Sequence, residues 1–335
     1  MHPPDPQPHP DAAPDARRVQ AWTDYWSRGA LHSCAGSFAG NYGGALRRFW
    51  ERVFDAVPPA PRLLDLCSGN APLAKLWLER DGDRDGGSLD SVDAAQVAPP
   101  WLASLAPRSQ AAIRVHAGVD AACLPFDAAS FDLCTSQFGV EYVGPAALRE
   151  ARRVLRSGAR FAAVVHHHRS LPVRIAREEL LEHAWLGDAD GLLARAADML
   201  EPMARSADAA GRAALQHDAG ARRARARYDE ALRQLAVRAA AARWPDLLHE
   251  VHAALAGVLR GTRETGAGAG HEALAALRAG LARAQLRQRE LVDCACDASG
   301  LHALLAPFGD GPREIGEVAF ENGELAGWTV LARRD

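Results

Sequence analysis

Three aspartates follow short apolar runs: Asp65 in "RLLDLCSGNAPLA" (62–74), Asp93 in "LDSVDAAQVAP", and Asp120 in "VDAACLPF". The first stretch reads as a strand that turns through Cys67, Ser68, Gly69, Asn70 and Ala71 into a helix opening at Pro72. Turns of this kind that bind dinucleotides carry three glycines, and here one remains. A diphosphate-gripping loop relies on bare backbone N–H groups and a helix N-terminus, so a carboxylate at position 65 is unwelcome there. A ligand with an ammonium group and a ribose, but no phosphate, tolerates it. Asp93 ends the next strand, where a carboxylate can accept from both ribose hydroxyls, or simply cap a helix. Asp120 precedes the apolar corner Leu124-Pro125-Phe126 and is placed either to take the exocyclic amine of an adenine or to make a plain turn.

A second group of residues offers proton transfer. "VVHHHRS" puts His166, His167 and His168 just past a strand, and imidazole titrates near neutrality. Strand alternation turns neighbours to opposite faces, so the three cannot all meet one ligand. Glu141 and Tyr142 follow another strand end and are equally placed. No metal is expected: Cys294-Ala295-Cys296 is the only close pair among six cysteines, and its spacing is not C-x-x-C. Scattered thiols fit a reducing compartment.

These residues need a scaffold. The 335-residue chain is 48% apolar, enough for a large core, and its net charge of −3 gives no global pull toward nucleic acid or an acidic membrane. The Arg-dense run "RRARARYDEALRQLAVRAAAAR" is interleaved with acids and lacks stacking aromatics, so it reads as a solvated helix face. No apolar run approaches the length of a membrane span, and the proline-rich start has no signal-peptide core, so the protein is expected to be cytoplasmic. Strands are expected at 62–66, 88–93, 112–116, 131–137 and 160–166. Helices are expected at 72–80, 98–105 and 145–156, the last stopped by Gly158. Such alternation means a parallel sheet wrapped by helices. Residues 45–56 form an amphipathic helix with Leu46, Phe49, Trp50 and Phe54 on one face. With Trp22, Tyr25, Trp26, Phe38 and Tyr42 it makes an aromatic segment that either patches the core edge or covers a ligand site. "REIGEVAF" and "LAGWTVLA" flank an Asn322-Gly323 hairpin of expected type I′.

At this order and spacing the motifs resemble class I S-adenosylmethionine-dependent methyltransferases, in the broad group that includes the quinone-biosynthesis enzymes. "LLDLCSGNAPLA" matches the family's first motif and "SVDAA" its ribose-binding acid. "VDAACLPFDAASFDLCTSQFGVEYV" matches the adenine-side motif and fourth strand, and "ALREARRVLRSGARFAAVV" the following helix and strand. The resemblance covers 62–166 well and 297–333 loosely. It implies a Rossmann-like, doubly wound, mostly parallel seven-stranded α/β sheet with an antiparallel last strand slotted between strands five and six. The resemblance further implies methyl transfer from S-adenosylmethionine to a small-molecule oxygen, carbon or nitrogen by in-line displacement. Carried over, Asp65 orients the methionyl ammonium and the backbone of Cys67, Ser68, Gly69 and Asn70 approaches the methionyl part. Asp93 with Ala94 holds the ribose, Asp120 and the Ala121 N–H read the adenine, and Gln137 sits near the sulfonium. Two family glycines are Cys67 and Ala71 here, which is tolerable if their φ angles stay negative. "SQFG" after strand four departs from the Asn/Asp-Pro-Pro-Tyr/Phe element of nucleobase and amide methylation, so a small molecule is expected and nucleic acid is not.

The domain expectations are a disordered tail at 1–20, a core at 21–170 and 293–335 with an aromatic lid segment, and an all-helical insertion at 171–292. The insertion would serve as a substrate cap or a homodimer contact. Two other readings stay open: a non-catalytic cofactor-binding or assembly protein, motivated by the depleted glycines, and a nicotinamide oxidoreductase, weighed down by the missing G-x-G-x-x-G.

Overall fold

The computed structural model describes residues 15–33, 40–81 and 86–335. Phe38, most of the tail and residues 82–85 lie outside the described residues. The chain divides into two compact units, Met1–Arg174 with Glu290–Asp335, and Ile175–Arg289.

The first unit is built on β1 (Arg62–Leu66), β2 (Ser88–Asp93), β3 (Ile113–Ala117), β4 (Phe131–Gln137), β5 (Leu155–Val165), β6 (Arg313–Ala319) and β7 (Leu325–Arg333). Their order is β3-β2-β1-β4-β5-β7-β6. β7 runs antiparallel to both neighbours and lies between β5 and β6, so the sheet is the Rossmann-like one expected, with seven strands and an inverted last one. Strand order reverses between β1 and β4, where a crevice opens beyond the strand ends.

Helices cover the sheet: α1 (Ala16–Trp26), α2 (Gly44–Asp55), α3 (Pro72–Asp81), α4 (Pro107–Ala112), α5 (Val140–Val143) and α6 (Pro145–Val154). The period of two in the strands sorts residues between two cores. Leu63, Leu133, Ala162 and Val164 pack with Trp50 and Phe54 of α2 and Leu73 of α3. Leu64, Cys134, Phe161 and Val165 pack on the other face with Leu148 of α6 and Phe308. By the same parity, Asp65, Thr135 and Gln137 share the first face. Leu46, Phe49, Trp50 and Phe54 are all buried, the stripe their spacing requires.

Several expectations change. Residues 98–105 form a 3₁₀ turn, Pro100–Ser104, because proline bars its predecessor from the helical region and Pro107 starts α4 afresh. The helix from Pro145 ends at Val154 rather than at 156, and Gly158 is not its stop; Leu155 already begins β5, and Gly158 at φ +76 lies within that strand. α1 starts at Ala16, inside the stretch read as an extended tail, with the Asp15 side chain capping Arg17 N–H at 2.9 Å.

The final hairpin is not type I′. Gly323 N–H donates to Phe320 O at 3.0 Å, Phe320 N–H donates to Glu324 O at 2.8 Å, and Gly323 alone has positive φ, +81. This is a type I turn closed by a left-handed glycine, the three-residue hairpin loop.

The second unit holds the body of α7 (Leu171–Leu186), then α8 (Leu192–Asp198), α9 (Leu200–Arg205), α10 (Ala209–His217), α11 (Ala219–Ala241), α12 (Asp246–Thr265) and most of α13 (Ala267–Cys294). α14 (Ala298–Leu304) returns to the first unit. The helices have their own core, with Leu192, Leu200, Tyr228, Leu235, Leu248, Leu255 and Leu274 buried together. α12 and α13 are separated at Gly266, which takes φ +94. No helix among the described residues is long and apolar enough to cross a membrane.

A Cβ at Gly323 would touch nothing within 4 Å, so Gly323→Ala isolates the backbone cost. Chemical denaturation should register a loss of about 1 kcal/mol from forcing alanine left-handed. An unchanged midpoint would mean the turn relaxes to another type.

Candidate functional site

The β1–α3 turn is held by backbone in left-handed conformations. Cys67, Gly69 and Ala71 have φ of +54, +51 and +54. The condition that Cys67 and Ala71 keep negative φ is therefore not met: the turn keeps a glycine-type path while carrying side chains. A non-glycine residue there costs on the order of 1 kcal/mol, a strain that persists only where surrounding contacts fix it. Phe138, just past β4, is also left-handed at φ +54. Gly139 then passes so close that a Cβ on it would stand 2.4 Å from the Cys67 Cβ. The two strand-end loops thus interlock across the β1/β4 switch point.

Two adjoining cavities lie over this junction. The larger, about 530 Å³, is lined by Asp93, Ala94, Ala95, Cys67, Phe138, Tyr142 and, from α1, Arg18, Trp22 and Trp26. The smaller, about 360 Å³, is lined by Asp65, Cys67, Ser68, Gln137, His32, Tyr42 and again Trp22 and Trp26.

Asp65 is 1% exposed and accepts from the Thr135 hydroxyl at 2.8 Å. Burial pushes its carboxyl from 3.8 up to about 7; the Thr135 bond opposes the rise and the Asp93 charge adds to it. Gln137 is oriented by Trp50, whose indole N–H donates to Oε1 at 2.6 Å. That bond assigns the amide's other end as the donor, and Gln137 Nε2 is buried without a partner. Ser68 Oγ is buried and unpartnered too. One cavity therefore gathers a carboxylate and two unmet polar groups able to donate.

Asp93 takes the Gly69 N–H on one oxygen and the Ala95 N–H on the other, both at 2.8 Å. Burial raises its carboxyl above the usual range, and those two bonds hold the rise down. Asp120 is half-buried, accepts from Ala122 N–H at 2.8 Å, and with Ala121 is not among the residues lining either cavity. Val119 N–H to Asp93 O, at 2.9 Å, keeps this segment beside the β2 end.

Asn70 is fully buried, and its amide donates to Trp26 O at 3.0 Å and Ala30 O at 2.7 Å. The Trp26 ring lies on Gly69, where a Cβ would meet it at 2.5 Å. α1 is further tied by Arg18 to Tyr142 O at 3.0 Å and by Thr23 Oγ1, which accepts from Gln96 N–H at 3.0 Å.

Of the proton-transfer candidates, the fold joins three. Glu141 Oε1 accepts from His166 N–H at 2.9 Å and faces His166 Nδ1 at 2.7 Å. Tyr142 lies edge-on to the same ring. His167 is turned away, stacked on His168 and tilted against Trp328. Among the described residues no group of three or more His, Cys, Asp or Glu could hold a metal ion.

Sequence reasoning missed Arg18 and Phe138 as wall residues, and Trp50 and Thr135 as the groups that orient Gln137 and Asp65. Trp50 was legible only as core; Phe138 carried no signal, since nothing in its type foretells a positive φ.

Residues 64–163 match the family model described as Methyltransferase domain. The chain is similar to the ubiquinone/menaquinone biosynthesis C-methyltransferase UbiE of Xanthomonas campestris, 36% identical over 118 residues, 34% of this chain and 46% of that protein. It is also similar to 2-phytyl-1,4-naphtoquinone methyltransferase of Synechococcus elongatus, 34% identical over 130 residues, 37% of this chain and 54% of that protein. The chain thus spans about half the length of the curated relatives it matches. Among solved structures it resembles geranyl diphosphate C-methyltransferase from Streptomyces coelicolor, with 16% identity, TM-score 0.37, and 47% of this chain and 68% of that one covered. The matched segment is a methyltransferase domain, and it lies within the Rossmann-like sheet. The chain carries that domain together with a helical unit that lies outside the matched residues.

The raised Asp65 carboxyl has a sign for stability. The folded state holds a proton that the unfolded chain releases near pH 4, so stability falls as pH rises from there to about 7. Asp65→Asn removes the buried charge and keeps an acceptor for Thr135. Its stability relative to the parent should be greater at pH 8 than at pH 5.5 by about 2 kcal/mol, at roughly 1.4 kcal/mol per unit. Equal differences in urea denaturation at both pH values would mean that Asp65 does not titrate between them.

Proposed function

We propose that this chain transfers a methyl group from S-adenosylmethionine to a small-molecule nucleophile. The observation that carries the reading is the cavity holding Asp65 with Ser68 Oγ and Gln137 Nε2, both buried without partners. Together they complement a zwitterionic amino-acid end: the carboxylate takes an ammonium, and the hydroxyl and amide N–H give to a carboxylate. The backbone from Cys67 to Asn70 runs along the methionyl part, and Asp93 with Ala94 holds the ribose in the adjoining cavity. Asp120 and the Ala121 N–H take the adenine edge.

The donor supplies an electrophilic methyl on a positively charged sulfur, and the protein's part is alignment and exclusion of water. Trp22 and Trp26 of α1 line both cavities, and α1 serves as the lid over the site. The relatives are named for ubiquinone, menaquinone and phytyl-naphthoquinone methylation. An aromatic small molecule is accordingly the first acceptor to test, and the aromatic walls of the larger cavity suit one.

Calorimetric titration with S-adenosylmethionine and S-adenosylhomocysteine should give one site with Kd of about 1–100 μM, within the usual range for enzyme ligands. Absence of binding at millimolar ligand would remove the reading. Binding without methyl transfer to any quinol, phenol or amine acceptor would favour a non-catalytic assembly role instead. Affinity for both ligands should rise with pH through about 7, as the Asp65 carboxyl ionises to meet the ligand ammonium. Asp65→Asn should weaken binding roughly 10- to 100-fold, the worth of a buried charged hydrogen bond.

A further inference from the structure

We propose that His166, held by Glu141, is the general base that takes the hydroxyl proton of a phenol, enol or quinol acceptor. The proposal rests on the methyl-transfer reading above and narrows its acceptor to molecules with an ionisable O–H.

Glu141 Oε1 receives the His166 backbone N–H at 2.9 Å and stands 2.7 Å from Nδ1. A carboxylate oxygen in that position assigns the ring proton to Nδ1. Nε2 then carries a lone pair, and it has no protein partner among the described residues. Carboxylate, then Nδ1–H, then a free Nε2 is the arrangement that orients an imidazole as a base. His167 has the opposite arrangement. Its Nδ1 accepts the Arg169 N–H at 2.9 Å, so the proton sits on Nε2, 3.4 Å from Glu317 Oε1. Only one of the two neighbouring histidines is prepared to accept a proton.

Placement agrees. His166 continues the parity of Ala162 and Val164 and so falls on the face of Asp65 and Gln137. Its ring stacks on Phe138 at 4.3 Å and meets the edge of Tyr142 at 6.0 Å. Phe138 and Tyr142 both line the larger cavity with Cys67 and Asp93. His166 is 4% exposed and Glu141 7%, so the pair sits in a low dielectric where its hydrogen bond is strong. The thiols of Cys67, Cys294 and Cys296 also feel the Glu141 charge. Burial, with that charge adding to it, pushes Cys67 well up and Cys294 and Cys296 up to about 12, so all three remain protonated and do not compete as bases.

In the step, the acceptor O–H bond breaks and its proton passes to Nε2. The electron pair left on oxygen, or relayed to a conjugated ring carbon, forms the bond to the donor's methyl carbon. The carbon–sulfur bond breaks with its electrons kept on sulfur, and the imidazolium then returns its proton to water. Glu141 acts through His166 as a positioning residue.

The test uses the full chain saturated with S-adenosylhomocysteine and 4-nitrophenol, whose visible absorption reports its ionisation without turnover. Bound dye should ionise about one pH unit below free dye, roughly tenfold more phenolate at a given pH. His166→Asn should abolish that shift and Glu141→Gln should reduce it, while both still bind S-adenosylhomocysteine by calorimetry. If His166→Asn fails to fold, Glu141→Gln carries the comparison. No shift in the parent protein, or a shift that survives in either variant unchanged, overturns the assignment. Failure of the parent to bind S-adenosylhomocysteine is read separately and sinks the methyl-transfer reading itself.

Discussion

Asp65 is a carboxylate at the end of a central strand, sealed from water and met by a threonine hydroxyl rather than by a cation. Its carboxyl stands near 7, on the edge of ionisation. A group so placed costs stability whenever it is charged, and a cationic ligand is what would offset that cost. Much of the site follows from keeping this residue dry and fixed. Thr135 reaches it from β4 because β1 and β4 pair in register, Asp65 opposite Thr135. Trp50 on α2 turns Gln137 so that its N–H groups stand in the same cavity.

The loops that close this space depend on strained backbone. Cys67, Ala71 and Phe138 occupy a region that residues with a Cβ seldom enter. They hold it because Gly139 and Gly69 give way at the contacts, toward Cys67 and Trp26 respectively. A side chain at either glycine would collide with a partner that is itself fixed. Asn70 adds the tie to α1, spending its amide hydrogens on two carbonyls of that segment. The depleted glycine pattern of the turn therefore marks a loop whose conformation is kept by its neighbours, not one that has lost it.

A strand end supplies the asymmetry in the histidine run. One residue further past the end of β5 reverses the face, and the group that each Nδ1 meets then decides its tautomer. His166 is paired with a buried carboxylate; His167 accepts from the chain itself and packs on Trp328. Identical side chains in sequence thus differ in which nitrogen can take a proton.

The parallel strands, the closing hairpin, the buried stripe of α2 and the strand-end positions of Asp65, Asp93 and Gln137 were legible in the chain, because alternation and amphipathic spacing act over a few residues at a time, whereas the place of the inverted last strand was implied by the family resemblance. Turn chemistry was legible less well. Asn322-Gly323 announced a hairpin but not its type, which depends on how many residues the flanking strands leave unpaired. The left-handed Cys67 and Ala71, the pairing of Glu141 with His166 across 25 positions, and the laying of Trp26 on Gly69 were not legible. Each is a contact between segments far apart in sequence, and no local preference encodes it. What the sequence determined by itself was which residues stand at strand ends; which of them meet, and with which atom, was decided only by the packing that brings those ends together.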